Sequence, residues 1–361
     1  MSKIIGVILV NYQDYAAKYL ADCFLSLEKQ TYPQDRIKIY IVDNASTVDS
    51  QAYLKTNYPK TTILARSDGN YAAANNLGAR QAITDGCEYL LMLNMDTLVD
   101  PDCLKELATA LENKEGIAIV QAKIYLAGAQ GEKISERRLN SLGNIVHFLG
   151  FGFTRGYGQS EEKFSAFLNS VPYPEIPGYA SGCALMIKRE AFEKIKGYGE
   201  EYYMYHDDLE LSLKARLAGY LIVLAPRAVV YHKYEFKRSI KMLYYMERNR
   251  RLFLLSFYPW PLLIFLAPAL LLMEFGLLAY ALKNGWYLEL AKAKLYFFKA
   301  RTWRLICARR QELKAQHCVP FSKIAVDFAG AIDFQEISNP LLKYIANPIL
   351  GLYWRGVKLF I

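Results

Sequence analysis

The amino-terminal part of the chain alternates short apolar runs with amphipathic or small-residue stretches, and this alternation limits the fold more than any other feature. IIGVILV at 4–10 is followed by a helix-like segment from Ala16 to Lys29, IKIYIVD at 37–43, TTILA at 61–65, a small-residue helix from Tyr71 to Thr84, and EYLLMLN at 88–94. Strands separated by helices of this length predict a parallel, helix-covered α/β sheet. The first run ends at Asn11 without a small-residue cleavage pattern, so it reads as a buried strand and not as a signal peptide. Ligands of such sheets bind beyond the carboxyl ends of the strands, where loops converge and helix amino termini present free N–H groups. The polar residues at those ends are Asn11 and Tyr12, Asp43 and Asn44, Asp68 and Asn70, and Asn94 and Asp96.

Residues 128–180 break the pattern with Gly, Pro and aromatic residues, as in GFGFTRGYG at 150–158 and VPYPEIPGYASG at 171–182. They predict long loops or small antiparallel strands forming one wall of a cleft. Helical periodicity returns at Leu209, Leu213 and Leu217 and ends near Gly219. Two further strands are predicted, Leu221 to Leu224 and Ala228 to His232.

The segment 252–282 is apolar apart from Glu274 and contains Pro259, Pro261 and Pro268. Its length suffices for one tilted bilayer crossing of about 30 Å. Basic residues flank both ends, with Lys237, Arg238, Lys241, Arg248, Arg250 and Arg251 before it and eight more between Lys283 and Arg310. Because Lys and Arg stay on the cytoplasmic side, a shallow re-entrant or interfacial hairpin is the preferred reading. A single span and a soluble buried helix pair are the alternatives. The net charge of +9 divides in the same place: residues 1–235 hold 25 basic and 28 acidic side chains, residues 236–361 hold 19 and 7. Positive charge beside an apolar segment suits an anionic membrane surface, and nucleic acid is not an expected partner. A mean hydropathy of +0.04 is the average of a soluble-type domain, 1–240, and a helical, basic and apolar membrane-associating region, 241–361. Six cysteines without a close pair or CxxC spacing argue against a disulfide framework or zinc site.

Two acidic motifs carry chemistry. Asn94-Met95-Asp96 closes a buried strand with a hard oxygen ligand suited to Mg²⁺ or Mn²⁺, although an isolated N-x-D also reads as a turn or helix cap. In EYYMYHDDLELSLKARLAGY, Asp207 or Asp208 starts a helix and sets adjacent carboxylates at its positive end. Asp207 with Glu210 three residues on is also a capping box by pattern. His206 clusters with the pair, and His232 ends a later strand.

Taken together and in order, VILVNY (7–12), VDNAS (42–46), DGNYAAANNLGAR (68–80), LLMLNMDTLV (90–99), SGCALMIKREAF (181–192), YMYHDDLELSLKARLAGY and VVYHKYEFKRS (229–239) closely resemble the family-2 glycosyltransferases. The subgroup they resemble includes rhamnosyltransferases of bacterial cell-surface polysaccharide assembly, over about residues 4–251. The resemblance implies a GT-A fold with a mostly parallel mixed sheet. It implies that Asp43 binds the nucleotide base beside Asn11 and Tyr12, and that Asn44, Asn70, Asn75, Asn94, Ser181 and Gly182 complete the nucleotide-sugar pocket. Asp96 would hold a divalent metal, Mg²⁺ or Mn²⁺, on the donor diphosphate, with His232 as a second metal or diphosphate contact. Asp208 would be the general base, with Asp207 as the alternative. Two departures stand out. The chain has Asp68-Gly69-Asn70 where the family commonly has Asn-x-Gly, and Asn tolerates a left-handed backbone next best after Gly. It also has Asp207-Asp208 where the family has Glu-Asp.

The expected function is an inverting, metal-dependent transfer from a nucleotide-diphosphate sugar to a lipid-linked or cell-surface glycan precursor at the cytoplasmic face of the membrane, by a hexosyl- or rhamnosyltransferase. The alternative is an inactive GT-A scaffold of a glycan-assembly complex. A nucleotidyltransferase is disfavoured because no lysine- and glycine-rich loop follows Val10, and a dehydrogenase because no GxGxxG does.

Overall fold

The computed structural model describes residues 2–128, 137–234, 243–316, 318–333, 340 and 342–361. The cations Lys237, Arg238 and Lys241, the end of the 229–239 motif and residues 129–136 of the aromatic, Gly-rich stretch lie outside them. The chain forms two compact units: Met1–Asn144 with Thr154–Arg216 and Tyr220–Tyr234, and Ile145–Phe153 with Leu217–Gly219 and Glu235–Ile361.

The first unit opens with β1 (Ile5–Tyr12), α1 (Tyr15–Glu28), β2 (Ile37–Asn44), α2 (Val48–Asn57), β3 (Thr62–Arg66), α3 (Tyr71–Thr84) and β4 (Tyr89–Leu93). It continues with β5 (Thr97–Val99), α4 (Cys103–Glu112), β6 (Ile117–Leu126) and β7 (Leu139–Ser141). β8 (Asn144–Val146) and β9 (Gly152–Thr154) make a separate two-stranded sheet. α5 (Ser165–Leu168), β10 (Ala184–Lys188), α6 (Arg189–Lys194), α7 (Asp207–Leu217) and β11 (Leu221–His232) come after them in the chain. The large sheet has the order β3-β2-β1-β4-β10-β6-β11-β5, with β7 added to β6. β3, β2, β1 and β4 are parallel, as the strand–helix alternation predicts, and β10 enters antiparallel between β4 and β6.

One face of β1, through Ile5, Val7 and Leu9, joins a core with Leu20, Cys23 and Leu27 of α1. Helix α3 sits unusually close to this sheet. A methyl group built on Gly78 would meet Ile8 Cγ2 at 2.7 Å and Val42 Cγ2 at 3.1 Å. The run Ala72, Ala73, Ala74, Asn75, Asn76, Gly78 and Ala79 is buried, so small side chains set this approach.

The sequence predicts separate strands at 221–224 and 228–232, but β11 is continuous. Its pairing to β6 shifts register between Ala225 and Val229, so Pro226, which has no N–H to give, is accommodated in an irregularity.

In the second unit, α8 (Leu243–Phe257), α9 (Trp260–Lys283), α10 (Tyr287–Leu295), α11 (Ala300–Gln316), α12 (Phe321–Ala325) and α13 (Asn347–Val357) surround an aromatic core in which Phe148 stacks on Trp354 at 5.0 Å. Segment 252–282 is divided at Tyr258-Pro259 between the end of α8 and α9, and Arg250 and Arg251 of α8 pair with Glu274 of α9 across that break. Pro259 precedes α9, Pro261 lies in its first turn, where no intrahelical N–H bond is required, and Pro268 lies inside it. Among the described residues α9 is the one helix long and apolar enough to cross a membrane, judged by length and composition.

Gly78→Val should destabilise the first unit by about 1–3 kcal/mol, because backbone and side chains under α3 must move to admit it. A thermal melt checks this, and an unchanged midpoint would mean α3 is free to retreat.

Candidate functional site

The strand ends converge through hydrogen bonds among buried polar side chains. Asn11 and Asp43 are register partners on β1 and β2, and Asn11 Nδ2 donates to Asp43 Oδ1 at 2.7 Å. Asn11 Oδ1 accepts the Ala16 N–H at 2.7 Å, fixing the start of α1. The Asp43 carboxylate also accepts from the hydroxyls of Ser46 and Ser50, the latter at 2.9 Å. Asp43 is therefore fully enclosed by donors of its own chain, whereas Tyr12 at the rim is exposed. Asn44 is buried, and its Oδ1 has no hydrogen-bond partner among the described residues.

After β3 the chain turns through Gly69 at φ +72°, and Asn70 at φ −74° becomes the N-cap of α3, accepting the Ala73 N–H at 3.0 Å. The left-handed position thus falls on Gly69 and not on Asn70. A Cβ at Gly69 would lie 2.5 Å from the Tyr203 hydroxyl, so glycine is required there on two counts. Asn70 Nδ2 donates to Glu200 O at 2.9 Å, and Asn76 bonds both the N–H and the C=O of Tyr198, which ties the loop before α7 to α3. Asn75 is buried and donates to Tyr71 O at 3.1 Å.

That loop is strained. Tyr203, Tyr205 and His206 have φ of 66°, 63° and 63°. Tyr203, with ψ −62°, centres a γ-turn of the rare kind, closed by Met204 N–H on Tyr202 O at 2.7 Å. In return Tyr203 O accepts the Ala72 N–H at 3.0 Å and its hydroxyl donates to Asp68 O at 3.2 Å.

Beyond β4, Asn94 N–H donates to Cys183 O at 2.9 Å, joining the N-x-D segment to the residue before β10. Asn94 Oδ1 accepts from the Tyr71 hydroxyl at 3.0 Å. Asp96 is buried. Its Oδ2 accepts from Tyr15 at 2.5 Å and its Oδ1 lies 3.2 Å from His232 Nε2. His232 Nδ1 contacts Asn140 Oδ1 at 3.0 Å. Burial opposes charge on this ring, but Cys183 and the Asp96 carboxylate beside it outweigh burial and raise the imidazole to about 10.

Asp207 and Asp208 begin α7. Asp207 is buried, while Asp208 is partly exposed and accepts the Gly182 N–H at 3.1 Å and the Leu209 N–H at 2.8 Å. Ser181 N–H donates to Gln121 Oε1 at 2.6 Å, which fixes the Ser-Gly turn from β6. Burial, followed by the charge of Asp208, holds Asp207 well above the carboxylate range. Burial also lifts Asp208, but the Gly182 and Leu209 N–H groups oppose it and leave its carboxyl at about 6. Glu210 accepts from Gly199 N–H at 3.1 Å and lies 2.9 Å from Lys214 Nζ, so its carboxylate serves the helix and the preceding loop.

The predicted residues therefore fall into two linked groups. One is Asn11, Tyr12, Asp43 and Asn44 at β1 and β2; the other joins Asn94, Asp96, Ser181, Gly182, Asp207, Asp208 and His232 across the β4/β10 pair. Asn70 and Asn75 act within α3 and its cap. Sequence reasoning missed Tyr15, Asn140, Tyr71 and Gln121. Tyr71 lies within the DGNYAAANNLGAR motif, but nothing in local pattern marks Tyr15 or Asn140, which arrive from other elements. Among the described residues no group of three or more His, Cys, Asp and Glu could hold a metal ion. Asp96 Oδ1 and His232 Nε2 converge at 3.2 Å, and once the ring gives up its proton the pair offers one carboxylate oxygen and one ring nitrogen, a donor set that would fit a divalent ion with further ligands from a substrate diphosphate and water.

A mixed sheet with acidic side chains gathered beyond its strand ends is the arrangement of a nucleotide-diphospho-sugar transferase fold. The family model described as Glycosyl transferase family 2 matches residues 6–196, and the chain belongs to that family. It is 24% identical over 259 residues to an N-acetylglucosaminyl-diphospho-decaprenol L-rhamnosyltransferase of Mycobacterium tuberculosis (strain ATCC 25618 / H37Rv), covering 64% of this chain and 76% of that protein. It is 29% identical over 167 residues to the uncharacterized protein y4gI of Sinorhizobium fredii, covering 45% of this chain but only 17% of that protein's length. With the O-antigen biosynthesis protein RfbC of Myxococcus xanthus it shares 27% identity over 174 residues, 47% of this chain and 12% of that one. In fold it is similar to the crystal structure of GalNAc-T7 with UDP, GalNAc and Mn²⁺, at a TM-score of 0.52 and 17% identity, covering 65% of this chain and 44% of that one.

The two raised carboxyls have a stability consequence. A folded-state value above the unfolded one stabilises the fold fully below about pH 4, and this contribution is lost as pH rises through about 6 for Asp208 and beyond for Asp207. Asp207→Asn should therefore lose less thermal stability than wild type between pH 5 and pH 8. Equal losses in paired melts would show that Asp207 titrates normally.

Proposed function

We propose that this chain is an inverting glycosyltransferase that moves a sugar from a nucleotide-diphosphate donor to a hydroxyl of a lipid-linked or cell-surface glycan precursor at the cytoplasmic face of a membrane. The observation that carries the reading is Asp208, a partly exposed carboxylate held by Gly182 N–H next to the strand pair that leads to Asp96 and His232. Two separate acidic centres match the two tasks of the reaction, taking a proton from the acceptor and managing charge on the leaving diphosphate.

Asp208 is the general base. At about 6 its carboxyl is ionised at neutral pH yet more basic than an ordinary aspartate, which suits removal of a hydroxyl proton as that oxygen attacks the anomeric carbon from the face opposite the diphosphate. Burial and the neighbouring Asp208 charge disfavour ionisation of Asp207, so the negative charge of the pair falls first on Asp208. Asp96 and His232, oriented by Tyr15 and Asn140, are the residues that would hold Mg²⁺ or Mn²⁺, and the ion supplies positive charge to the departing diphosphate. The base and sugar of the donor would lie over Asn11, Tyr12, Asp43, Asn44, Asn94, Ser181 and Gly182, with Asn70 and Asn75 holding α3 beneath them. Asn44 Oδ1, a buried acceptor without a donor among the described residues, supports this assignment. Asp43 can contact the base only when the Ser46–Ser50 turn yields one of its carboxylate oxygens. The name of the M. tuberculosis relative favours rhamnose over other sugars and a diphosphate-linked lipid acceptor. The helical region from 241 onward would associate with the membrane that carries the acceptor.

The test is turnover with a panel of UDP-, dTDP- and GDP-sugars and Mg²⁺ or Mn²⁺. Asp208→Asn should lower kcat by about 10²–10⁴-fold and still show a donor-induced rise in melting temperature. Asp96→Ala should lose the metal-dependent part of that rise. Wild-type turnover in both variants would overturn the assignments, and a wild-type chain inert to the whole panel would favour a scaffold. The kcat of the active enzyme should fall about tenfold per pH unit below about 6 and level off above it; a limb at pH 4 would exclude Asp208 as the base.

A further inference from the structure

The apolar helix α9 carries a charged anchor at mid-length that bears on how it meets a bilayer. Its buried positions, Leu262, Leu266, Ala269 and Ala281, follow one stripe, and Met273 and Leu277 on the same side are half-buried. Most of the remaining circumference is exposed and apolar, including Ile264, Leu271, Leu272, Phe275, Leu278 and Leu282. Glu274 pairs with Arg250 at 2.8 Å, Arg251 at 2.7 Å and Lys294 at 3.2 Å. Arg250 also pairs with Glu247 at 2.9 Å. At 1.5 Å per residue, Glu274 lies about 20 Å along the helix from Trp260. In an upright crossing this cluster would sit deep in a hydrocarbon core about 30 Å thick, where each charge costs at least about 2.5 kcal/mol.

The chain path adds a second constraint. After Gly285 the backbone reverses, so that α10 packs beside α8 and delivers Lys294 to the middle of α9. The segment after α9 thus returns to the segment before it, and an upright helix would drag α8 and α10 into the bilayer with it. Helix α13 then extends the same apolar surface. Its Tyr353 hydroxyl donates to Phe265 O, Phe360 just after it stacks on Phe265 at 5.7 Å, and Ile349 and Leu352 of the helix are exposed together with Ile345 before it and Leu359 after it. Exposed cations alternate with exposed rings nearby: Lys292, Lys299, Arg301 and Arg304 with Phe298 and Trp303.

We infer that α9 does not cross the membrane but lies in the plane of one leaflet, its exposed side among the acyl chains and its Glu274 side on the protein, with α13 inserted beside it. The occupant of this surface is an anionic bilayer. The 19 basic against 7 acidic side chains after residue 235 complement its headgroups, and no soluble partner is required to cover the apolar face. The inference rests on the membrane association proposed above and decides its geometry.

The experiment uses the full chain with Cys307→Ser and Cys318→Ser, the exposed thiols. NBD is attached in turn to Ile264→Cys, Leu271→Cys and Leu278→Cys, which share one helix face. Vesicles contain phosphatidylcholine with about one third phosphatidylglycerol. In-plane insertion gives blue-shifted labels at one shallow depth, within about 5 Å of each other by depth-dependent quenching and all reduced by external dithionite. An upright helix gives depths spread over about 20 Å with one end protected, and this would overturn the orientation while leaving membrane association standing. No blue shift together with no flotation would remove the membrane reading itself. Leu352→Glu with Leu359→Glu should weaken vesicle binding at least tenfold at an unchanged melting temperature, and pure phosphatidylcholine should do the same for wild type. Undiminished binding in the first case would overturn the role of α13, and in the second the role of charge.

Discussion

The antiparallel insertion of β10 between β4 and β6 is the constraint on which the rest of the site depends. Because β10 runs against β4, Cys183 at its start lies beside Asn94 at the end of β4, and the Ser181-Gly182 turn is carried to the same edge. Gly182 N–H then meets Asp208, and Gln121 on β6 fixes Ser181 from the other side. Segments far apart in sequence become one polar surface through strand pairing and the two side-chain acceptors Asp208 and Gln121. Each donor in this set is a main-chain N–H or a side chain locked by one, so the geometry is held before any substrate arrives.

Charge is distributed in layers around that surface. Asp96 shares its oxygens between Tyr15 and His232, and His232 is in turn turned toward Asn140. Asp207 and Asp208, by contrast, are both raised by burial, and the charge of Asp208 raises Asp207 further. Burial thus brings Asp208 close to its titration point at neutral pH, an effect of surroundings and not of residue type.

Much of this is legible in the sequence where information is local. Helix α3 spans Tyr71–Thr84, the bounds its small-residue run predicts, because that composition both favours helix and permits the close approach at Gly78. Strand-end polar residues are identifiable because periodicity locates strand ends. Pairing across distance is not legible in this way. Tyr15 looks like any aromatic at a helix start, and Asn140 like any loop residue, until α1 brings the one to Asp96 and β7 brings the other to His232. The Asp68-Gly69-Asn70 turn departs from expectation in detail because Asn70 is needed as a cap, which leaves the left-handed conformation to Gly69. The break expected within 252–282 falls at Tyr258-Pro259, between α8 and α9, whereas Pro261 in the first turn of α9 is no interruption.

The backbone at Tyr203, Tyr205 and His206 also sets a lower bound on what the contacts of that loop are worth. A non-glycine residue in this region of φ costs about 1–2 kcal/mol, and three occur within four positions. Glycine or asparagine would relieve that cost at any of them, so local backbone preference selects against the residues present. The contacts that hold this loop, Tyr203 O on the Ala72 N–H and the Tyr203 hydroxyl on Asp68 O among them, offset that cost. The loop before α7 is thus a place where amino-acid identity can be weighed against conformation, and the balance assigns value to its contacts.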